Sequence, residues 1–189
     1  MNPVIETLIT HRSDRSYLDK AIPDAVLDDI ILSAYRAPTS VHSQQVSVIV
    51  TRDKATKAKI AELAGGQPWI AQAPVFITFV LDMHKTREAM ALIGEQQIAH
   101  ESIESIVTGS TDVGIALASA MAAARAQGLG VVPIGGMRRS PAAFIELFNL
   151  PPLTFPLVGM ALGYVDRPAD LKPRLPLSTF RHEEKYQTE

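Results

Sequence analysis

Residues 111–138 read TDVGIALASAMAAARAQGLGVVPIGGMR, and few folds accommodate such a run. Between positions 113 and 126 the one charged side chain is Arg125. A helix without a wide polar face is expected to be buried nearly all round. Ala116, Ala118, Ala120, Ala122, Ala123, Ala124 and Ala126 lose no side-chain entropy in a helix, and their small size lets another backbone approach closely. The stretch therefore predicts a central helix pressed against a sheet or a twin subunit. Gly128 is the expected left-handed residue that ends it, residues 129–134 read as a buried strand, and Gly135-Gly136 is a turn whose backbone N–H groups lack side-chain cover. Such a turn suits a planar ligand, and it equally suits a tight strand-to-loop connection with no ligand.

The 189 residues are enough for a sizeable core, and one domain over 1–189 is expected, with an extended polar tail from about residue 166. A net charge of −2 with interspersed signs offers no basic field to gather polyanions, which argues against nucleic-acid or membrane-surface binding. The absence of cysteine excludes disulfides, thiolate catalysis and thiolate-held metal, and it fits a reducing compartment. The N-terminal MNPVIETLITHRS has no basic segment followed by a long apolar run, and alanine and glycine make the central helix too weakly apolar to span a bilayer. A soluble cytoplasmic protein is the expectation.

In chain order, a short helix over residues 3–10 delivers His11-Arg12-Ser13-Asp14-Arg15. Two guanidinium forks and a hydroxyl within four residues are equipment for gripping a phosphate; the same letters also describe a solvated loop. A second helix runs from Pro23 or Asp24 to about Arg36. The loop from Ala37 to Gln45 is dense in hydroxyls and amides and leads into a strand over residues 46–51. Such groups at a strand mouth hydrogen-bond a heterocycle or a polyol chain, or simply cap and turn the backbone. Residues 53–63 read as an amphipathic helix capped by Asp53 and stopped by Gly65-Gly66, Gln67-Pro68-Trp69 starts a short helix, and residues 75–81 form an apolar strand covered on both faces. Residues 84–107 read as one long helical region. Ser140-Pro141 is an N-cap followed by proline, and residues 155–164 are a further buried strand. Helices interleaved with four apolar strands indicate an α+β or α/β layered sheet.

Familiar signatures are absent. No phosphate loop, dinucleotide fingerprint or nucleophile elbow occurs. His100-Glu101 resembles half of a zinc-protease helix, but Glu104 stands where the second histidine belongs, so no metal is expected.

Taken together, His-Arg-Ser-x-Arg at 11–15, the loop of Ser40 and Gln44, Gly65-Gly66-Gln67, Gly128-Leu129-Gly130, Ile134-Gly135-Gly136-Met137-Arg138 and Leu171-Lys172-Pro173-Arg174-Leu175-Pro176 resemble the flavin-dependent nitroreductase family. The likeness is greatest to its oxygen-insensitive NADPH nitroreductase A branch, and the pieces recur in order over nearly the whole chain. The resemblance implies an α+β homodimer, a sheet sandwiched by helices, with two FMN molecules at the subunit interface. It implies that Arg12, Ser13, Arg15 and Arg174 hold the FMN phosphate, with His11 a further cofactor-binding residue, while Thr39, Ser40, Gln44 and Gln67 meet the ribityl chain and ring edges. Gly135 and Gly136 would present backbone N–H groups to the flavin N5, and Lys172 would lie by the N1–C2 side as a fixed cation. The implied activity is ping-pong reduction of nitroaromatics or quinones by NADPH or NADH. A same-fold flavin reductase or dehydrogenase and a non-catalytic flavin-binding dimer are the alternatives. The resembling branch continues for tens of residues past the position of Glu189 into a helical extension that recognises the NADPH phosphate. Here Arg138 is the candidate for that contact, and weak discrimination between the nucleotides is expected. Pro133 stands where an aromatic is more usual, and His42 where the wider family often has asparagine.

Overall fold

The computed structural model describes residues 1–188. Among these, strands β1 (Val46–Thr51), β2 (Val75–Asp82), β3 (Gly130–Ile134) and β4 (Thr154–Gly163) form one antiparallel sheet in the order β1-β2-β4-β3. In the central strand β2 every residue from Val75 to Leu81 is buried, as its unbroken apolar run requires. Alternation of side chains across the sheet divides the core in two. Val75, Ile77, Phe79, Met160 and Leu162 pack with α2 (Asp24–Tyr35) and α6 (Ile103–Ala126) on one face. Phe76, Ala161, Val132 and Ile134 pack on the other with α3 (Lys54–Leu63), α4 (Pro68–Gln72) and α7 (Pro141–Leu147). The sheet is thus sandwiched between helices, and α1 (Pro3–Ile9) lies against α6.

Some expectations change. Residues 84–107 are not one helix. α5 (His84–Leu92) ends where Gly94 adopts φ +76, with its N–H on the Ala91 carbonyl, and Gln97 folds back to donate to the Met83 carbonyl. The residues from Ile103 onward join the central helix, which is 24 residues long rather than starting near residue 111. Within one chain α6 is buried along one side only. Its buried positions, Ser105, Gly109, Asp112, Val113, Ala116, Ala120 and Ala124, recur at three- and four-residue spacing and make a single stripe. Ile103, Ile106 and Val107 are exposed on the single chain. By length and composition α6 is also apolar enough to cross a membrane, its best window reaching a mean hydropathy of 1.4; alanine and glycine do not weaken it enough to exclude that. In the fold it lies on the sheet instead. Ser140 precedes α7 without a side-chain capping bond, because its φ of −139° and ψ of 59° depart from the extended geometry that directs a cap oxygen at the helix.

Candidate functional site

The first grouping is built at the free edge of β3. Ser13 bridges Val131 in parallel, and the Asp14 N–H donates to the Val131 carbonyl. On the other side of this segment Tyr17 bridges Val165, and the Asp166 N–H donates to the Ser16 carbonyl. Residues 13–17 are therefore clasped between β3 and the chain that leaves β4. Gly130 is required here, since a Cβ on it would lie 2.3 Å from Val165 and 2.8 Å from Asp14. The Tyr17 hydroxyl bonds the Asp14 carbonyl at 2.6 Å, and burial pushes its pKa well up, so it stays a neutral donor. Asp14 in turn accepts the Ala169 N–H at 3.0 Å, while Arg12 Nη1 donates to the Ala169 carbonyl at 3.3 Å. These bonds fold the tail back onto the N-terminal segment.

The result is a cleft of about 180 Å³ lined by His11, Arg12, Ser13, Arg15, Lys172 and Arg174, with Ala169 and Asp170. Four permanent cations meet a single lining carboxylate, a donor set that fits a phosphate dianion. Burial, and then the Arg125 guanidinium, hold the His11 imidazole below its usual range; Asp14 opposes this and Arg174 adds to it. His11 is thus a neutral hydrogen-bonding group at neutral pH.

A second grouping adjoins it through Arg15, whose guanidinium lies 5.3 Å from the centre of the Trp69 ring. Trp69 is in α4, two residues after Gln67, and Gln67 Nε2 donates to the Ala64 carbonyl at 2.9 Å. Against this pair sits Gly136, in the short 3-10 turn Gly135–Arg139; a Cβ there would meet Ala64 O at 2.3 Å and Gln67 Nε2 at 2.7 Å. Packing alone therefore demands glycine at 136. On the side where a Cβ would stand, Gln67 lies on Gly136 and the Arg138 guanidinium beside Gly135. Arg138 is fixed by the Leu157 carbonyl at 2.9 Å, at the irregularity where β4 shifts register against β2.

The third grouping, Thr39, Ser40 and Gln44, is not brought to the cationic cleft within one chain. Thr39 and Gln44 line a separate cleft of about 260 Å³ with Tyr35, Arg36, His42 and Lys85. This loop is tied instead to α6, where Asp112 accepts the Ser40 N–H at 3.0 Å and Gln45 Nε2 at 3.1 Å.

Comparison with known proteins identifies the family. The Nitroreductase family model matches residues 8–164. The chain belongs to the nitroreductase family. It is 47% identical over 188 residues to the FMN reductase (NAD(P)H) of Bacillus subtilis, covering 98% of this chain and 75% of that one. It is 35% identical over 187 residues to the oxygen-insensitive NADPH nitroreductase of Salmonella typhimurium, covering 99% and 76%. The solved structure of B. megaterium NfrA2 superposes with a TM-score of 0.98 at 44% identity, covering all of this chain and 76% of that one.

In this nitroreductase two features of the site escape a reading of the sequence. Tyr17 and Asp14, which clasp the cationic segment, carry no motif. Asp112 does carry a signal, a carboxylate inside an otherwise apolar helical run. A charge in such a place survives only with hydrogen-bond partners. Lys172 and Arg174 lie beyond the stretch matched by the family model, yet line the same cleft as residues 11–15.

Proposed function

We propose that this nitroreductase is an FMN-dependent oxidoreductase that takes reducing equivalents from NADPH or NADH and passes them to nitroaromatics or quinones. The observation that carries this reading is the convergence of Arg12, Ser13, Arg15, Lys172 and Arg174, from opposite ends of the chain, on one small cleft. Of these, Arg12, Ser13, Arg15 and Arg174 hold the FMN phosphate, and the neutral His11 adds a hydrogen bond. Gln67 and the Gly135-Gly136 turn, reached through Arg15 and Trp69, serve the ring end. When bound, FMN supplies the two-electron acceptor and donor. Lys172 places a fixed cation on the cleft wall, which stabilises negative charge that develops nearby on reduction. No side chain is assigned as acid or base.

Thr39, Ser40 and Gln44 serve the same cofactor from a second subunit. The loop and the cationic cleft are apart in one chain, and a twofold axis beside α6 supplies a second copy of each. The exposed Ile103, Ile106 and Val107 on α6 support such an assembly. Arg138, exposed beside the glycine turn, is the candidate contact for the nucleotide 2′-phosphate. Free FMN as the oxidant is the second reading, supported by the name of the B. subtilis relative. The protein works in the cytoplasm on this reading.

The test is anaerobic. Protein loaded with FMN should bleach on addition of NADPH or NADH, and nitrofurazone, a quinone or free FMN should restore the colour. A flavin that stays oxidised under excess of either nucleotide would overturn the assignment.

A further inference from the structure

Residues 40–44 form a loop that no local preference explains. Val41, His42 and Gln44 have φ of 46°, 57° and 54°, the left-handed region that side chains with a Cβ rarely enter. For the β-branched Val41 this is a genuine outlier, and its side chain is 95% exposed, so burial does not compensate. The loop must be held at its ends. Within it, the Gln44 N–H donates to Thr39 Oγ1 at 3.1 Å and the Ser43 N–H to the Ser40 carbonyl at 2.9 Å. Outside it, one group reaches both ends: Asp112, 2% exposed on α6, takes the Ser40 N–H on both carboxylate oxygens and the Gln45 side-chain amide on Oδ2. Gln45 is 8% exposed and lies close over Gly109, one turn before Asp112, where an added Cβ would be 3.5 Å from Gln45 Nε2. Its own backbone carbonyl accepts the Asp82 N–H, so Gln45 anchors the loop to the sheet as well as to the helix.

Both partners of Asp112 are neutral donors. A buried carboxylate on two neutral donors is a poor choice for stability alone, because desolvation of the charge is only partly offset. Its use is geometric. We propose that Asp112 is a positioning residue for the cofactor: it staples the two ends of loop 40–44 to the central helix and so fixes Thr39, Ser40 and Gln44 in the conformation that meets the flavin. The proposal rests on the flavin reading above. It also makes α6 the element that sets loop geometry, not only a wall of the core.

Hydrogen exchange of residues 39–45 in FMN-free protein reads the staple directly, and FMN titration reads its purpose. Asp112→Ala should speed exchange of the Ser40 amide about tenfold or more and weaken FMN by about tenfold, with sedimentation unchanged. Asp112→Asn, which keeps an acceptor for the Ser40 N–H, should restore most of both. Should the alanine variant not fold, Gln45→Ala removes one arm and is expected to give the same pair of effects at smaller size. Unchanged exchange in the loop would overturn the proposal. So would faster exchange with undiminished FMN affinity, which would mean that the staple orders a loop the flavin does not use. Wild-type protein that takes up no FMN would overturn the flavin reading by itself, and loop exchange would still judge the staple.

Discussion

At the scale of single residues, the cationic cleft separates recognition of phosphate from recognition of the ring. Arg12 and Arg174 spend only long bonds of 3.3 and 3.5 Å on backbone carbonyls, so their guanidinium groups keep donors for a ligand. Removing either should cost about 1.5–3 kcal/mol of FMN affinity and leave riboflavin binding nearly unchanged. Fluorescence titration with the two flavins checks this; equal losses would mean that the arginines support the fold or the ring. His11 makes a second, pH-dependent prediction. Its value in the folded chain lies below the ordinary 6.5, chiefly through burial and the Arg125 charge, so on acidification the unfolded chain takes its proton first. The His11 contribution is complete above pH 6.5 and is lost as pH falls from there through the lowered folded value. FMN-free wild type should lose thermal stability across that interval, and His11→Gln should lose less, by melting curves at stepped pH.

At the scale of elements, the glycine turn after β3 shows how local identity depends on distant packing. Two adjacent glycines suggested an open backbone waiting for a ring, and their letters say nothing of α3 or α4. In the fold the Ala64 carbonyl at the end of α3 occupies the space a side chain at 136 would need. A backbone carbonyl cannot step aside as a flexible side chain does. Gly136→Ala should therefore destabilise the FMN-free protein by about 1–3 kcal/mol, as overpacking does, before any ligand is considered. Urea denaturation of flavin-free protein measures it, and an unchanged midpoint would show that the turn has room after all. The register shift of β4 has a comparable role, since Arg138 is fixed by the Leu157 carbonyl beside it.

At the scale of the whole molecule, the exposed face of α6 is the expected seat of the proposed dimer. Its buried stripe is filled by the sheet and α2, and Ile103, Ile106 and Val107 are left to water on a lone chain. A dimer is expected in sedimentation at micromolar concentration, and Ile106→Glu should shift it toward monomer. The same variant should weaken FMN severalfold, although Ile106 lines neither polar cleft, because separating the subunits parts the loop from the cationic cleft. A monomeric variant that binds FMN as tightly as wild type would refute the shared site.

The sequence by itself determined the elements whose signals are local. The period of apolar residues placed α2, the unbroken apolar run placed β2, and Asp53 marked the start of α3, while the cationic residues at 11–15 and 172–174 showed only as two remote groups of charge. Local signals misled where a break depends on φ and on a returning side chain, as at Gly94 and Gln97. Only the tertiary structure decided that the two cationic runs share a cleft, because the hydrogen bonds that join them, from Asp14 to Ala169 and from Ser16 to Asp166, link residues some 150 positions apart. The same holds for Asp112. A carboxylate in an apolar helix shows in the letters, but its partners at 40 and 45 exist only once the sheet has laid the loop against that helix.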